Sequence, residues 1–573
     1  MQHRRILVPL ALAGSFGIAL APGFAMASTT SHSAVSPAFG TSTAKSGNLK
    51  QFSSPLSKSV FSRHAASADA ASKTTSGTTS NPDLAVYIGG GQISTYGVEL
   101  VAGFVGLDNG SATLTISWGD GTTQTITDVT AQSDGGGVLD YTHTYSALGA
   151  YDVTVTLTDA YSDTATNTTV VQTASEYTAF GPFRILDTRA GTGAAKAAIA
   201  AHGTLKFKVV GTGGNGVSVP TGATAVVLNV TATQVNASGV LTVYNNEDAD
   251  GYSIDRPETS NLNFGKGQTV ANLVVVPVGA DGTVDFYNGS TGTTQVVADV
   301  QGYYTAASAA TYTPITPTRV LDTRKGTGTG GTIAKIAAGG SVTLTIGGVG
   351  SVPSTATAAQ LNITAVNGTH SGFITADGGA GASTASSNVN YGPNQAVANS
   401  AIVPFGDLST DSHEITLHNS STGPVDLVVD VSGYYQAAAV GGSAYIPLYA
   451  PERIYDSRVK DNGVYDGPLS AGKTVPFPIT NDTLETAFVL NATVTGTTGN
   501  GYLELYPYNG GSTALPGTST LNWVKGQTIP NLAVVSAGTV LDGNFGSYDL
   551  GLYVGGTGTA QVVLDAFGFF PSN

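Results

Sequence analysis

Three segments of this chain set two arginines around an aspartate inside apolar strands. They read Arg184-Ile185-Leu186-Asp187-Thr188-Arg189, Arg319-Val320-Leu321-Asp322-Thr323-Arg324 and Arg453-Ile454-Tyr455-Asp456-Ser457-Arg458. Guanidinium and carboxylate at this spacing can form a buried ion pair, grip a polar ligand, or shift a carboxyl toward acid–base work. Each copy also ends on an aspartate in an apolar strand followed by an aromatic pair: Asp299 with Tyr303-Tyr304, Asp430 with Tyr434-Tyr435, Asp565 with Phe569-Phe570. Between these ends lie Leu228-Asn229-Val230-Thr231, Leu361-Asn362-Ile363-Thr364 and Leu490-Asn491-Ala492-Thr493, then Asn263, Gln268 and Asn272, matched by Asn390, Gln395 and Asn399 and by Asn522, Gln527 and Asn531.

Two readings compete for these shared polar residues. Asp299 sits between Val297 and Val300, and a carboxylate buried there needs the partner that Arg184 or Arg189 supplies. Asn and Gln among apolar strands likewise tend to satisfy loop backbone groups. The structural reading is preferred. The ligand-contacting alternative rests on Arg184, Asp187, Arg189, Asn263, Gln268 and Asp299 and on their counterparts in the other two copies.

Catalysis finds little support. A glycosidase needs two carboxylates facing across a cleft, and the recurring pair, Asp187 and Asp299, has arginine or apolar surroundings. His143 and His202 have no counterparts in the other copies, no G-x-S-x-G elbow occurs, and there is no cysteine. The stretch Asn246-Glu247-Asp248-Ala249-Asp250-Gly251 imitates the start of a calcium loop, but the twelfth position is Pro257, which favours a solvated acidic turn. No metal or cofactor is expected. Tyr244, Tyr252, Tyr506, Tyr508 and Trp523 fall near turns or strand ends, where rings either stack on sugars or pack in the core.

The elements that position these residues must be strands. The leading arginines are 135 and 134 residues apart, so the copies are domain-sized, each large enough to close a core. Only 11% of residues are charged, there are 75 glycines, and Thr and Val run throughout, as in short strands joined by Gly-rich turns. Continuous apolar runs such as Leu273-Val274-Val275-Val276 suit strands covered on both faces. The expected fold is all-β and multi-domain: residues 176–305, 312–437 and 445–571 form three homologous β-sandwich or jelly-roll-like modules of eight to ten strands. They follow a sandwich at 81–173. In that first module Leu114, Ile116 and Trp118 share one face, as do Val153, Val155 and Leu157.

Upstream, Arg4-Arg5, an apolar run from Ile6 to Ala21 and Ala25-Met26-Ala27 form a secretory signal peptide with cleavage expected after Ala27. The arginine pair leaves general and twin-arginine export both open. Residues 28–80 are rich in Ser, Thr and Ala, poor in large apolar residues, and read as a disordered linker that could carry sugars. Without residues 1–27, 21 basic residues face 38 acidic ones, a net charge of −17. That charge disfavours nucleic acid and anionic membranes. No later apolar stretch reaches the roughly 18 residues of a membrane span. With no cysteine, the exported chain must rely on burial and sheet hydrogen bonds.

Two resemblances add to this. Ser117-Trp118-Gly119-Asp120-Gly121-Thr122, then His143-Thr144-Tyr145, then Gly149-Ala150-Tyr151-Asp152-Val153-Thr154-Val155 and Asp159 resemble the polycystic kidney disease (PKD) domain. The resemblance implies an immunoglobulin-like sandwich used outside cells as a spacer or interaction module. Gly119 and Gly121 suit a tight turn, Asp120 can bond amides within it, and Trp118 and Tyr151 are expected in the core. The three copies are similar to a tandem repeat, opening R-x-L-D-T-R and closing G-Y-Y, of secreted proteins from high-GC Gram-positive bacteria. That repeat implies an extracellular or cell-surface setting.

The functional expectation is a secreted, non-catalytic attachment protein that binds a cell-wall or environmental polysaccharide through several weak sites. The alternatives are a structural or adhesive protein with protein partners, and, third, a hydrolase with accessory modules.

Overall fold

The computed structural model describes residues 52–63, 83–107, 110–132, 135–247, 251, 253–307, 309–378, 386–406, 413–460, 464–480, 485–511, 513–542 and 545–571. The expected signal peptide lies outside them, as do residues 248–250 of the calcium-like stretch. The described residues are almost entirely β, in several antiparallel sheets with no α-helix. None of their helices is long and apolar enough to cross a membrane.

The chain divides into two compact units. The first holds a four-stranded and a five-stranded sheet. Its strands alternate as half-buried strands must, with Leu114 and Ile116 on Ser111–Ser117 buried between less buried neighbours, and Val153, Val155 and Leu157 on Ala150–Thr158 likewise. Trp118 is buried, but Tyr151 is only half-buried, because it lies at the start of its strand, two residues before the buried Val153 on the same face; the expectation of a core tyrosine there is corrected. At the turn, Gly119 and Gly121 take φ of +80° and +90°, and Asp120 accepts from the Thr122 amide at 2.9 Å and from His143 Nε2 at 2.8 Å. The His143 ring stacks on Trp118 with centroids 4.6 Å apart. Burial works to raise the Asp120 carboxyl, yet the donations from Thr122 and His143 hold it at about 2.

Within the linker expected at 28–80, residues 52–63 are ordered, which corrects the expectation there; residues 28–51 and 64–80 lie outside the described residues. Phe52–Ser54 pairs with Ala85–Gln92, and Val60–Ser62 pairs with Thr164–Gln172. One buried ring, Phe52, anchors the segment, while Asn167 Nδ2 donates to the Ser54 and Pro55 carbonyls at 3.1 Å each. A polar segment can therefore order when an open sheet edge supplies the hydrogen bonds its own side chains cannot.

The second unit contains the three copies, each with an inner and an outer antiparallel layer, and the inner layers of copies one and two run on into one eight-stranded sheet through the pairing of Tyr177 with Ala310. The inner sheet of copy one has, in spatial order, an edge strand Val270–Pro277, a central strand Ala223–Thr233, a closing strand Gln295–Thr305 and an opening strand Glu176–Asp187. Copies two and three repeat that order with Ala396–Pro404, Ala356–Val366, Asp426–Ala437 and Ala310–Asp322, and with Ile529–Ser536, Glu485–Thr495, Thr559–Pro571 and Ile446–Asp456. An outer sheet, Thr204–Lys208, Thr283–Asn288, Gly239–Tyr244 and Leu262–Phe264 in copy one, covers one face of the inner sheet.

The other face of each inner sheet turns to the other copies. On the central strand of copy one, Val226, Leu228, Val230 and Ala232 belong to the module's own core, whereas Ala225 and Val227 join a cluster drawn from all three copies. The run Leu273-Val274-Val275-Val276 divides the same way, odd positions to the shared cluster and even positions to the module core. Two-sided burial is the reason these strands do not alternate.

Six rings close this shared core. Tyr177 packs on Tyr304 (5.1 Å between centroids), Tyr304 on Tyr445 (4.6 Å), Tyr445 on Phe570 (5.4 Å), Phe570 on Tyr312 (4.5 Å), Tyr312 on Tyr435 (5.1 Å), and Tyr435 back on Tyr177 (4.6 Å). Every copy gives one ring from its opening strand and one from its closing strand, so the modules surround an approximate threefold axis. The opening-strand phenols donate to closing-strand carbonyls: Tyr177 to Gln301 (2.9 Å), Tyr312 to Ser432 (3.1 Å) and Tyr445 to Phe567 (3.0 Å). The glycine of each closing motif leaves room for that ring, since a Cβ on Gly302, Gly433 or Gly568 would overlap Tyr177, Tyr312 or Tyr445. Gly433→Ala is expected to lower stability by about 1–3 kcal/mol through this overpacking, seen as a lower urea midpoint with an unchanged slope; an unchanged midpoint would show that the ring has space to move.

Candidate functional site

The register aligns the shared polar residues into one row per copy. Arg184 on the opening strand lies opposite Asp299 on the closing strand, which lies opposite Asn229 on the central strand. The rows Arg319, Asp430, Asn362 and Arg453, Asp565, Asn491 repeat this. A register shift just after each leading arginine bends the opening strand at that point.

Each leading arginine grips its aspartate with two bonds. Arg184 donates from Nε and Nη2 to Asp299 at 2.9 and 3.1 Å, Arg319 to Asp430 at 2.9 and 3.2 Å, and Arg453 to Asp565 at 2.8 and 3.2 Å. The second arginine closes a tight local pair: Arg189 donates its backbone N–H and Nε to Asp187 Oδ1 at 2.9 Å each and Nη2 to Oδ2 at 2.7 Å. Arg324 with Asp322 and Arg458 with Asp456 repeat that loop. The residue between them, Thr188, Thr323 or Ser457, accepts the N–H of Val296, Leu427 or Val562 at 2.9, 3.1 and 2.9 Å.

Asn and Gln are also consumed by the fold. Gln268, Gln395 and Gln527 accept the N–H of Gly265, Gly392 and Val524 at 2.7, 2.9 and 3.0 Å. Asn263, Asn390 and Asn522 donate to Ser260, Ser387 and Ser519 at 3.2, 3.1 and 3.2 Å. These bonds tie the Gln and Asn side chains to backbone and hydroxyl groups of their own copies.

A second set, the asparagines of the L-N segments and Asn272, Asn399 and Asn531, locks the copies to one another instead of satisfying only loops of their own copy. Asn272 Nδ2 donates to Asn491 Oδ1, Asn531 to Asn362 and Asn399 to Asn229, each at 2.8 Å. In the opposite sense, Leu273 N–H donates to Asn399 Oδ1 (3.0 Å), Ser400 N–H to Asn531 (3.1 Å) and Leu532 N–H to Asn272 (3.0 Å). Both circuits run once round the three copies and close, a head-to-tail interface whose rotation completes a ring. They also cap the N–H groups that the inner edge strands would leave open.

Tyr177, Tyr312 and Tyr445 were passed over. Their signal was an aromatic seven residues before the leading arginine in two copies and eight in the third. Of the aromatics weighed as a sugar platform, Tyr244, Tyr506 and Trp523 are buried, Tyr508 is half-buried, and Tyr252 lies outside the described residues. Among the described residues no cluster of His, Asp or Glu is arranged to hold a metal.

Two concavities lie between copies. A depression of 670 Å³ is lined from all three, beside Gln268, Gln395 and Gln527. A smaller cleft of 170 Å³ lies between Arg184 and Arg189 of copy one and Phe373 and Asn390 of copy two.

The two carboxylates of each copy are tuned in opposite directions. Burial raises Asp299, Asp430 and Asp565 despite the arginine on each. Hydrogen bonds from Arg189, Arg324 and Arg458 lower Asp187, Asp322 and Asp456. A carboxyl raised in the folded state disfavours folding as pH climbs through its folded pKa; a lowered one stabilises above its unfolded value near 3.9 and loses that contribution as pH falls toward its folded pKa. Acidification from neutrality is thus expected first to hold or slightly raise the melting temperature, then to lower it below about pH 4. Asp187→Asn should flatten the acid fall; a melting profile identical to wild type would remove the lowered group from the account.

Asn399→Ala strands the Asn229 carboxamide oxygen, the Leu273 N–H and the Asn388 carbonyl in a buried site. At about 1–3 kcal/mol for each unsatisfied group, a loss on the order of 3–5 kcal/mol in chemical denaturation is expected. A loss below about 1 kcal/mol would mean that water replaces the side chain.

No family model matches this chain, and no curated protein matches it. Among solved structures, a protein described in work on the triple jelly roll fold and turret assembly in an archaeal virus aligns over 70% of this chain and 90% of its own, at 9% identity and a TM-score of 0.13.

Proposed function

We propose that this chain is a secreted, non-catalytic attachment protein whose three-module head engages a polysaccharide. The observation that carries the reading is the closed ring of copies, which holds three equivalent faces on one body at fixed spacing. A polymer with a repeating unit is the kind of ligand such an arrangement favours, because a second contact forms at the high effective concentration set by the first. Rigid spacing removes the linker entropy that a string of separate modules would lose on binding.

The non-catalytic part of the reading draws on the state of the carboxylates. Asp187 and Asp299 each hold a bidentate arginine, and so do their counterparts, so none is poised as a free general base facing an acid. The export signal and the acidic balance agree with a role outside the cell, where nucleic acid is a poor partner.

The test is co-sedimentation of residues 28–573 with insoluble peptidoglycan, chitin, cellulose and the producing cell's own walls. Saturable binding to one polymer, competed by its soluble fragments, is expected. Failure to sediment with any of them while the protein is folded would overturn the reading in favour of adhesion to protein partners.

A further inference from the structure

Three buried hydroxyls at equivalent positions have no hydrogen-bond partner: Thr231, Thr364 and Thr493, the last residues of the shared L-N-x-T segments. They are 5%, 3% and 7% exposed. A single orphan hydroxyl is unremarkable, but the same one left in every copy, beside the shared Arg, Asp and Asn of the polar row that are partnered, singles out the position. On the central strand Thr231 lies two residues beyond Asn229, on the face that turns to the neighbouring copy, and it lines the 170 Å³ cleft.

The walls of that cleft define what it can hold. Arg184 and Arg189 spend Nε and Nη2 on their aspartates, which leaves further N–H groups on each half-exposed guanidinium. The aspartates cancel the two positive charges, so the cleft offers donors without a net charge, and an anion gains little over a neutral group bearing acceptor oxygens. Phe373 adds an apolar face of the kind that packs against sugar C–H groups. Tyr502 holds the corresponding place in copy three, close enough to feel the charge of Arg319 of copy two, and Val240 holds it in copy one. The volume equals that of roughly five or six waters at ~30 Å³ each, below the ~300 Å³ at which drug-sized pockets begin, so one ring fits and a longer segment does not.

We infer that the junctions between copies are sugar sites, each taking one neutral monosaccharide unit whose oxygens accept from the paired arginines and from the buried threonine hydroxyl. The choice of sugar rests on the attachment reading above; the position of the site does not. The three junctions would then place one unit each at equivalent points around the head.

Saturation-transfer NMR on the full chain with N-acetylglucosamine, glucose, galactose and mannose, and with galacturonic acid as the charged comparator, tests this. The paired protein carries Thr231→Val, Thr364→Val and Thr493→Val together. Valine keeps the shape and removes only the orphan hydroxyl, so this variant should fold and melt at the same temperature or higher. At least one neutral sugar should bind the natural chain, and the triple variant should bind it at least tenfold more weakly. Equal binding by the triple variant, binding of galacturonic acid alone, or an ordered water alone in each cleft of sugar-soaked crystals overturns the proposal. If these sites fail while polymer co-sedimentation persists, the attachment reading stands without them; if sedimentation fails as well, both fall.

Discussion

Burial of each inner sheet on both faces is the constraint on which the second unit depends. An inner layer with Val and Leu on both sides can satisfy one face with its own outer sheet, but the other must meet something equally apolar. Here it meets its own duplicates. The six-ring core forms where the three second faces converge, and each aromatic pair adds on the order of 0.5–1.5 kcal/mol beyond the area it buries. A lone module would present Tyr177, Tyr304 and the odd-numbered side chains of its edge strand to water, so closure of the ring is part of folding and not a later docking of finished domains.

Apolar packing alone would leave the relative placement of the copies loose, because it is nondirectional. The asparagines supply the direction. Each of Asn272, Asn399 and Asn531 both donates to a carboxamide and accepts an edge-strand N–H of the same neighbouring copy, so a slip of one residue in any copy would strand several buried polar groups at once. The Arg–Asp rows lie beside this belt, and in copy one Asp299 also accepts the Ser387 N–H of copy two at 3.4 Å. A buried ion pair is weak evidence of added stability, but removing one member leaves an uncompensated charge, which makes such pairs effective at excluding other arrangements.

The same economy bears on function. The residues with the most chemical potential, two arginines and two aspartates per copy, are committed to one another, and what remains for a ligand is the outer edge of each guanidinium and a hydroxyl the fold leaves unsatisfied. Under the attachment proposal each such surface contributes only weak recognition, which three linked copies add together. Covalent linkage also fixes the stoichiometry of the ring. It lets the copies differ where function or packing permits, as where Phe570 replaces the tyrosine and the phenol pairing of Tyr304 with Tyr435 has no third member.

Much of this was legible along the chain because it is local. Glycine-punctuated Thr/Val strands, the two-faced run at Leu273–Val276, the need of Asp299 for an arginine partner and the tight turn at Asp120 each follow from residues near in sequence or from a carboxylate with few alternatives. Phe52–Ser62 was misread for the converse reason: its order comes from sheet edges more than twenty residues away, and composition carries no trace of an open edge. The belt and the ring were hidden for the same cause at larger scale. Asn272 and Asn491 are 219 residues apart, and nothing in either copy states which of its polar residues faces itself and which faces a duplicate. Sequence by itself determined that there are three equivalent two-faced modules with a fixed polar row. Tertiary structure alone decided that the second faces turn inward on one another, because that choice depends on shape and closure, which no single copy contains.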